Sequence, residues 1–519
     1  MSHTGNLQHA FASWGRRLRH FVASPKFFWL IIVLFVLQAS WIALSARYPG
    51  AFDEQSHFGL IQLHAQQLTP FFTHQPTAAA DYGAVVRDPS YLYHYLMSFP
   101  YRVITHFTHD VTIQVILLRF INIALLATAL IVFRRVLQYA RSSDTVVHLV
   151  LLALVLTPVV PLLGAQINYD NLVVLLSAWL VLLCLRLQKQ VAANQKIHWG
   201  LLAGIALICM LGSLVKYAFL PLALAAVIYV VRILWRRQAR LDLRRASAWK
   251  LAATLVLLLL SFGLFAERYG VNIVRYHTPT PECDQVLSVA QCQTYSPWLR
   301  NYQLASQTEK PVTTQIISYP VQWVTRTVEE SLFAIGSGFN NGINIAQNNF
   351  GTVDYWQARS LPIPRLMTYA TLFVSLVSVV VVFRKLRDQP VLRLMSFFIG
   401  LYVLILFLQN FSDFMHIGSI TAVHGRYLMP ILPLLYLLMA VAVQTFLHLP
   451  QIAKRISITA QTWVLTLGIL VFVSQGGGIV TYIVRSQSRW FWPQNTSIQN
   501  VNSGVQRVLW HHALGSDRN

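Results

Sequence analysis

Ala51 to Leu68 reads AFDEQSHFGLIQLHAQQL and follows the first long apolar run, Phe27 to Ser45, almost at once. That run is close to the ~20 residues a helix needs to cross a bilayer. Asp53 and Glu54 therefore stand where the chain has just left a membrane. If the stretch is helical, Asp53, His57, Leu60 and His64 share one face at i, i+4, i+7 and i+11. An acid pair and a histidine held at a bilayer surface suit chemistry on a lipid-borne substrate. The rest of the chain reads as the scaffold that holds this stretch in place.

The composition agrees with a polytopic membrane protein. Mean hydropathy is +0.51 and only 11% of the 519 residues are charged, against roughly 25% in soluble proteins. The net charge of +22 does not point to nucleic acid, because its placement follows the apolar runs. Basic residues cluster between spans: Arg16, Arg17 and Arg19; Arg134, Arg135 and Arg141; Arg232 to Arg245; Arg384, Lys385 and Arg387. Such clusters mark cytoplasmic loops. Apart from Asp144, Asp242 and Asp388, every acid falls on the opposite side or at its edge. That bias places the chemistry on the extracytoplasmic face.

Run length and the Lys/Arg bias together give an all-α bundle of about 11 spans. The expected organisation is a cytoplasmic basic tail over 1–26, a transmembrane module over 27–484 with outer loops at 46–110 and 267–365, and an extracytoplasmic tail over 485–519. The third span is expected at about Thr145 to Leu163 and the seventh at about Leu251 to Phe265. The last is expected at about Trp463 to Val484. Spans five and six flank Ser213 to Pro221, which contains Lys216. The backbone in hydrocarbon must satisfy its own hydrogen bonds, so the spans are helices. Cys184 and Cys209 lie in apolar runs and read as inert core residues. Cys283 and Cys292 lie in the largest outer loop and form a candidate disulfide.

The topology brings several further groups to the outer face. Asp170 follows the third span, Lys216 ends the fifth, and His424, Arg426 and Tyr427 open the tenth. Each has a structural alternative. Asp53 suits an exposed interfacial acid or a helix cap, and Asp170 suits the N-terminus of the fourth span. Lys216 suits snorkelling to the interface, and Arg426 and Tyr427 suit an interfacial anchor and an aromatic belt. No P-loop, dinucleotide fingerprint, nucleophile elbow or zinc spacing is present.

Four motifs in order resemble the GT-C superfamily of polytopic glycosyltransferases. Phe52-Asp53-Glu54-Gln55-Ser56-His57-Phe58 resembles its acidic D-E motif after the first span, with Phe52 in place of the usual proline. Asp88-Pro89-Ser90-Tyr91-Leu92-Tyr93 resembles a P-P-x-Y-Y segment, and Ile167-Asn168-Tyr169-Asp170 an N-x-D turn. His424-Gly425-Arg426-Tyr427-Leu428-Met429-Pro430 resembles a G-R-Y-L-x-P motif. The resemblance implies transfer of a sugar from a polyprenyl-phosphate donor to a cell-envelope glycan, lipid or protein acceptor. Asp53 would be the base that activates an acceptor hydroxyl, with Glu54 assisting or sharing a divalent cation (Mg or Mn) with it. His57 would orient a carboxylate. Asp170, Lys216, His424, Arg426 and Tyr427 would line the substrate and phosphate site, the cations facing the leaving phosphate. The implied partners are the lipid-linked donor, the envelope acceptor and membrane lipids, with no nucleic acid. The implied location is a bacterial inner membrane, N-terminus cytoplasmic and C-terminus extracytoplasmic.

Three other readings compete, one of them a non-catalytic assembly or scaffold protein. A transporter would place ionisable groups at the bilayer midplane, and only Arg119 does so here. A lipid-linked glycan polymerase or ligase would also use basic residues on the outer face, but without the D-E motif.

Overall fold

The structure is a computed structural model and describes residues 3–140, 143–193, 197–237, 241–242, 248–307, 312–331, 362–418, 420, 425–450, 468, 478–485, 491–492 and 496–510. It is an all-helical bundle, and the described residues include one strand pair, Ile197–His198 against Leu241–Asp242, between connecting segments. Among the described residues seven helices are long and apolar enough to cross a membrane, and three more are shorter and apolar. The protein is an integral membrane protein. The expected last span, Trp463 to Val484, lies largely outside the described residues.

The first described residues form a helix, α1 (His3–Ala23), within the basic segment ahead of the first span. The first span, α2 (Pro25–Ser45), begins at Ser24, whose hydroxyl accepts from the Phe27 N–H, with Pro25 in the first helical position. The chain then turns into α3 (Glu54–Ala65) and α4 (Leu92–Phe107), which pack together outside the spans. The second span, α5 (Val111–Gln138), starts on the Asp110 carboxylate, which accepts from the N–H groups of Thr112 and Ile113.

The third span differs from the single helix expected. It is α6 (Asp144–Val155) and α7 (Val159–Gly164), broken ahead of Pro158 and Pro161, which have no N–H for a continuous ladder. The break leaves α7 short and sets the turn before α8 (Asp170–Ala192). Helix α8 is the centre of the bundle: 67% of its most apolar stretch is buried, and it packs along α5.

Helices α9 (Trp199–Val215) and α10 (Leu220–Arg237) are joined by one extended residue, Lys216, and a 3₁₀ turn. Gly212 permits this tight joint, since a Cβ there would lie 2.5 Å from the Phe219 ring. Helix α11 (Ala248–Phe265) passes through a π-turn into α12 (Val271–Tyr276). The seventh span is thus continuous to Tyr276, beyond the end expected from run length. Only 6% of its most apolar stretch is buried, and Leu257, Leu259 and Leu260 point outward. Such a face is stable in lipid and not in water.

Two short helices, α13 (Cys283–Val286) and α14 (Val289–Cys292), follow, and a disulfide joins Cys283 to Cys292. The loop is tied down where the Thr294 hydroxyl donates to the Ala80 carbonyl. After α15 (Ser296–Gln307) and α16 (Thr313–Ser331) come the remaining described spans. They are α17 (Pro362–Arg387), α18 (Pro390–Ile417) and α19 (Leu432–Leu447). Helix α20 (Ile479–Arg485) and α21 (Thr496–Trp510) close the chain, and Trp41 of α2 donates to Asn502 of α21.

Candidate functional site

The chain leaves α2 through a turn in which Phe52 and Asp53 both have left-handed backbone, φ 60° and 63°. Asp tolerates this region, but a bulky aromatic residue rarely enters it. Such strain persists only where the surroundings impose it. Here Asn168 Nδ2 donates to the Phe52 carbonyl at 2.9 Å, and the Phe52 ring is fully buried. A proline at 52, locked near φ −65°, has no access to this turn. The turn sends the two acids in different directions.

Glu54 goes inward. Its carboxylate accepts from Arg119 Nε at 2.8 Å and the Ile167 N–H at 3.1 Å on one oxygen. The other oxygen accepts from Arg119 Nη2 at 2.6 Å and the Gly50 N–H at 2.7 Å. These four donors fill the lone-pair sites of a carboxylate. Both side chains have zero exposure. Arg119 also donates to the Ala43 and Ala46 carbonyls at the end of α2. The intramembrane cation that favoured a transporter is therefore a tie between α5, α2 and the start of α3. Gly50 is required for the approach, because a Cβ there would lie 2.8 Å from Glu54 Oε2.

Asp53 goes outward. Its Oδ2 accepts from Arg426 Nη2 at 2.6 Å, and its side chain is 36% exposed against 10% for Arg426. The Arg426 guanidinium lies over the Phe52 and Tyr427 rings, at 5.7 and 5.3 Å. Burial works against its charge, but Asp53 above all outweighs this and holds the pKa well above its usual value. Deeper in, Lys216 Nζ donates to Asp170 Oδ1 at 2.6 Å, and both side chains are only 2% exposed. The same ammonium lies over the Tyr169 and Tyr427 rings, at 4.4 and 4.7 Å. Tyr427 thus touches both cations and joins the two ion pairs into one site. Its main-chain carbonyl is fixed by the Tyr402 hydroxyl.

The elements explain the meeting. Lys216 is held by the break between α9 and α10, with the Tyr217 N–H donating to Ser90 Oγ. Asp170 opens α8, its N–H bonded to Asn168 Oδ1. Asn122 of α5 ties this turn to α4 by accepting from Tyr93 Oη and Asn171 Nδ2.

His57 does not orient a carboxylate, as expected from the sequence. Its Nδ1 lies 2.9 Å from His94 Nε2, with the two rings stacked. The edge of Tyr169 packs against it at 4.4 Å. Burial first, then the charges of Arg426 and Lys216, push its pKa well below the usual 6.5. Burial and the neighbouring imidazoles do the same to His94.

Five of the expected site residues thus come together: Asp53, Asp170, Lys216, Arg426 and Tyr427. His57 adjoins them through Tyr169, whereas Glu54 turns away. His424 lies outside the described residues. The sequence reading missed His94, Asn122 and Asn168 as positioning groups. Asn168 had a signal, two residues before Asp170 in the N-x-D turn. His94 had none, being 37 residues from its partner.

The donor set does not fit a divalent cation shared by Asp53 and Glu54. Every acceptor site of Glu54 is taken, and Asp53 carries a guanidinium. Among the described residues no group of three His, Cys, Asp or Glu side chains is placed to hold a metal.

Residues 57–277 match a family model described as dolichyl-phosphate-mannose-protein mannosyltransferase. The matched part holds His57, Asp170 and Lys216 and stops short of Arg426. No curated protein matches the chain. Among solved structures, ArnT from Cupriavidus metallidurans bound to undecaprenyl phosphate is similar at 14% identity and a TM-score of 0.45. That match covers 95% of this chain and 71% of the other. The oligosaccharyltransferase of Archaeoglobus fulgidus tethered with an acceptor peptide is similar at 10% identity and a TM-score of 0.41. That match covers 93% of this chain and 59% of the other. The family match spans less than half of the chain, from His57 of α3 to His277 just after α12.

Proposed function

We propose that the chain moves a sugar from a polyprenyl-phosphate donor to a hydroxyl of an envelope glycan, lipid or protein on the extracytoplasmic face of a bacterial inner membrane. The observation that carries the reading is the linked pair of ion pairs, Asp53–Arg426 and Asp170–Lys216, at the end of the bundle opposite the basic clusters. Arg134 and Arg135, Lys189, and Arg384 to Arg387 end α5, α8 and α17 at the other side. By the positive-inside rule that side is cytoplasmic and the site is outside. The disulfide loop beside the site agrees with an oxidising compartment. The described family's donor, a prenyl-phosphate sugar, agrees with cations set at the head of a membrane bundle.

Asp53 is the acid a substrate can reach. It takes the proton of the acceptor hydroxyl, whose oxygen then attacks the anomeric carbon. The bond from that carbon to the phosphate oxygen breaks, and its electron pair leaves with the polyprenyl phosphate. Arg426, the more exposed cation, faces the growing phosphate charge with a guanidinium fork suited to its oxygens. Lys216 adds its field from beneath Tyr427. Direct displacement of this kind inverts the sugar carbon. Glu54 is a structural anchor in this reading, not a second base.

The test is transfer of labelled sugar from a panel of polyprenyl-phosphate sugars by purified protein, wild type beside Asp53→Asn. Turnover lost in the variant supports the reading. Turnover unchanged in the variant removes Asp53 as the base, and no turnover with any donor by wild type overturns the function.

A further inference from the structure

At the end of the bundle opposite the two ion pairs, a cavity of about 540 Å³ lies between α8, the start of α9 and the end of α5. That is within the ~300–1,000 Å³ of small-molecule sites. Arg186, Lys189 and His198 line it, Leu183 and Leu201 give it an apolar wall, and no acid is among the described lining residues. Arg186 and Lys189 are three residues apart on one helix, a spacing at which like charges repel. Neither makes an ion pair or a hydrogen bond with any described residue. The cavity therefore holds two cations and no counter-charge.

The third basic side chain is oriented by its own segment. The His198 main-chain N–H donates to Gln190 Oε1 at 3.3 Å, and the His198 ring accepts from the Gly200 N–H at Nδ1, 3.2 Å away. A ring that accepts at Nδ1 carries its hydrogen on Nε2. His198 thus brings a donor to the lining as well. Depth follows from the helix. Arg186 lies roughly 24 Å along α8 from Asp170, and Lys189 roughly 28 Å, at the rise of an α-helix. With Asp170 at the outer edge, both cations stand close to the inner edge of a hydrocarbon core ~30 Å thick.

We infer that this cavity binds the phosphate head of an anionic phospholipid of the cytoplasmic leaflet. Two cations and an N–H donor suit the oxygens of a phosphate diester. The leaflet on this side carries anionic lipid, and basic pockets between spans there take such head groups. Leu183 and Leu201 supply the wall against which an acyl chain can lie, which a free phosphate would leave bare. Lys189 also suits the C-terminal end of the α8 dipole, and basic residues at span ends set topology. Neither role calls for a cavity that both cations share. The site lies at the far end of the bundle from Asp53 and does not depend on the transferase reading.

The experiment titrates dioleoyl-phosphatidylglycerol into the delipidated full-length protein in neutral detergent and reads bound lipid by native mass spectrometry. Arg186→Gln with Lys189→Gln empties the cavity of its cations. Arg384→Gln with Lys385→Gln removes two exposed cations on the same side of the membrane but outside the cavity. The cavity variant is expected to bind the tightest lipid about 10- to 30-fold more weakly, whereas the control stays near wild type. Equal loss in both variants reports attraction to the leaflet as a whole and overturns the inference, as does no loss in the cavity variant. Dioleoyl-phosphatidylcholine has the same chains and no net charge, and binding as tight as that of phosphatidylglycerol would overturn it too. Displacement of the lipid by an equal concentration of inorganic phosphate would give the cavity to a free anion instead.

A second measurement keeps every charge in place. Ala193 lines the cavity and is exposed, whereas Cys184 and Cys209 are buried and Cys283 and Cys292 are joined to each other. In Ala193→Cys, phosphatidylglycerol nanodiscs are expected to slow labelling by a neutral maleimide several-fold relative to phosphatidylcholine nanodiscs. Gln389→Cys, on the same side but outside the cavity, should label alike in both. Equal rates for Ala193→Cys in the two lipids, or equal slowing at both positions, overturn the inference even if the double variant fails to fold.

Discussion

Asp53 and Glu54 are neighbours in the chain and opposites in the fold. Glu54 is sealed, with four donors on its carboxylate and no exposure. Asp53 is open, with one guanidinium at 2.6 Å and a third of its side chain exposed. One left-handed turn separates the two outcomes. The difference teaches that a D-E motif is two devices. Glu54 fixes the loop to α5 and α2 through Arg119. That fixed loop then presents Asp53 to Arg426 at the edge of the bundle.

The largest effect that would sharpen this contrast is on turnover. Asp53→Asn should lower the rate of sugar transfer about 10²- to 10⁴-fold, the range for a lost general base. Its melting temperature should stay close to wild type, because the side chain is part-exposed. If Asp53→Asn unfolds the protein and Glu54→Gln spares it, the contrast is broken.

Next comes stability. Glu54→Ala or Arg119→Ala strands the partner's charge inside the bundle, at a cost of about 3–5 kcal/mol. The double variant Glu54→Leu with Arg119→Met should cost less than either single change, since no charge is left buried. Thermal unfolding of the four proteins in one detergent checks this. Equal losses in single and double variants would show that the ion pair itself is not what holds the loop.

Phe52→Pro tests the turn between the two acids. The D-E motif that this stretch resembles has proline there, but φ 60° excludes it in this chain. The expected loss is about 1–3 kcal/mol, together with turnover, as Asp53 shifts from Arg426. A fully active Phe52→Pro protein would mean that the turn tolerates another backbone.

The smallest effect is on pH. His57, His94 and His64 are all pushed below the usual 6.5 by burial, His64 to about 4. Unfolded imidazoles take up protons near 6.5, whereas the folded ones resist. The unfolded state therefore binds more protons below that pH, and stability falls as pH drops through 6.5. For His64 the fall continues to about 4. Above about pH 7 the three contribute no slope. Melting temperatures at pH 7.5 and 5.5 should show the loss, and His64→Phe should reduce it.

The helices were legible because lipid imposes a simple code of run length and basic ends. The bounds of α5, α8, α17 and α18 contain the spans expected at about 111–133, 172–187, 366–383 and 394–408. Breaks were less legible. Pro158 and Pro161 were visible in the third span, yet run length alone kept it whole. The seventh span ran past its apolar stretch because Glu267 of the π-turn pairs with its neighbour Arg268 and with Arg87, so that polar residues continue the helix. At the site, the residue types and their common face were legible for Asp53, Asp170, Lys216, Arg426 and Tyr427. Their partners were not, since each ion pair joins residues far apart in the chain.

The sequence by itself determined a membrane bundle, its basic side, and the set of ionisable residues on the other side. Those follow from local quantities: apolar length, charge placement and short motifs. Only the tertiary structure decided which acid is anchor and which is open, and that His57 answers to His94. Pairing depends on where separate helices end relative to one another, and hydrogen-bond geometry is settled within tenths of an ångström. No one-dimensional pattern carries that information.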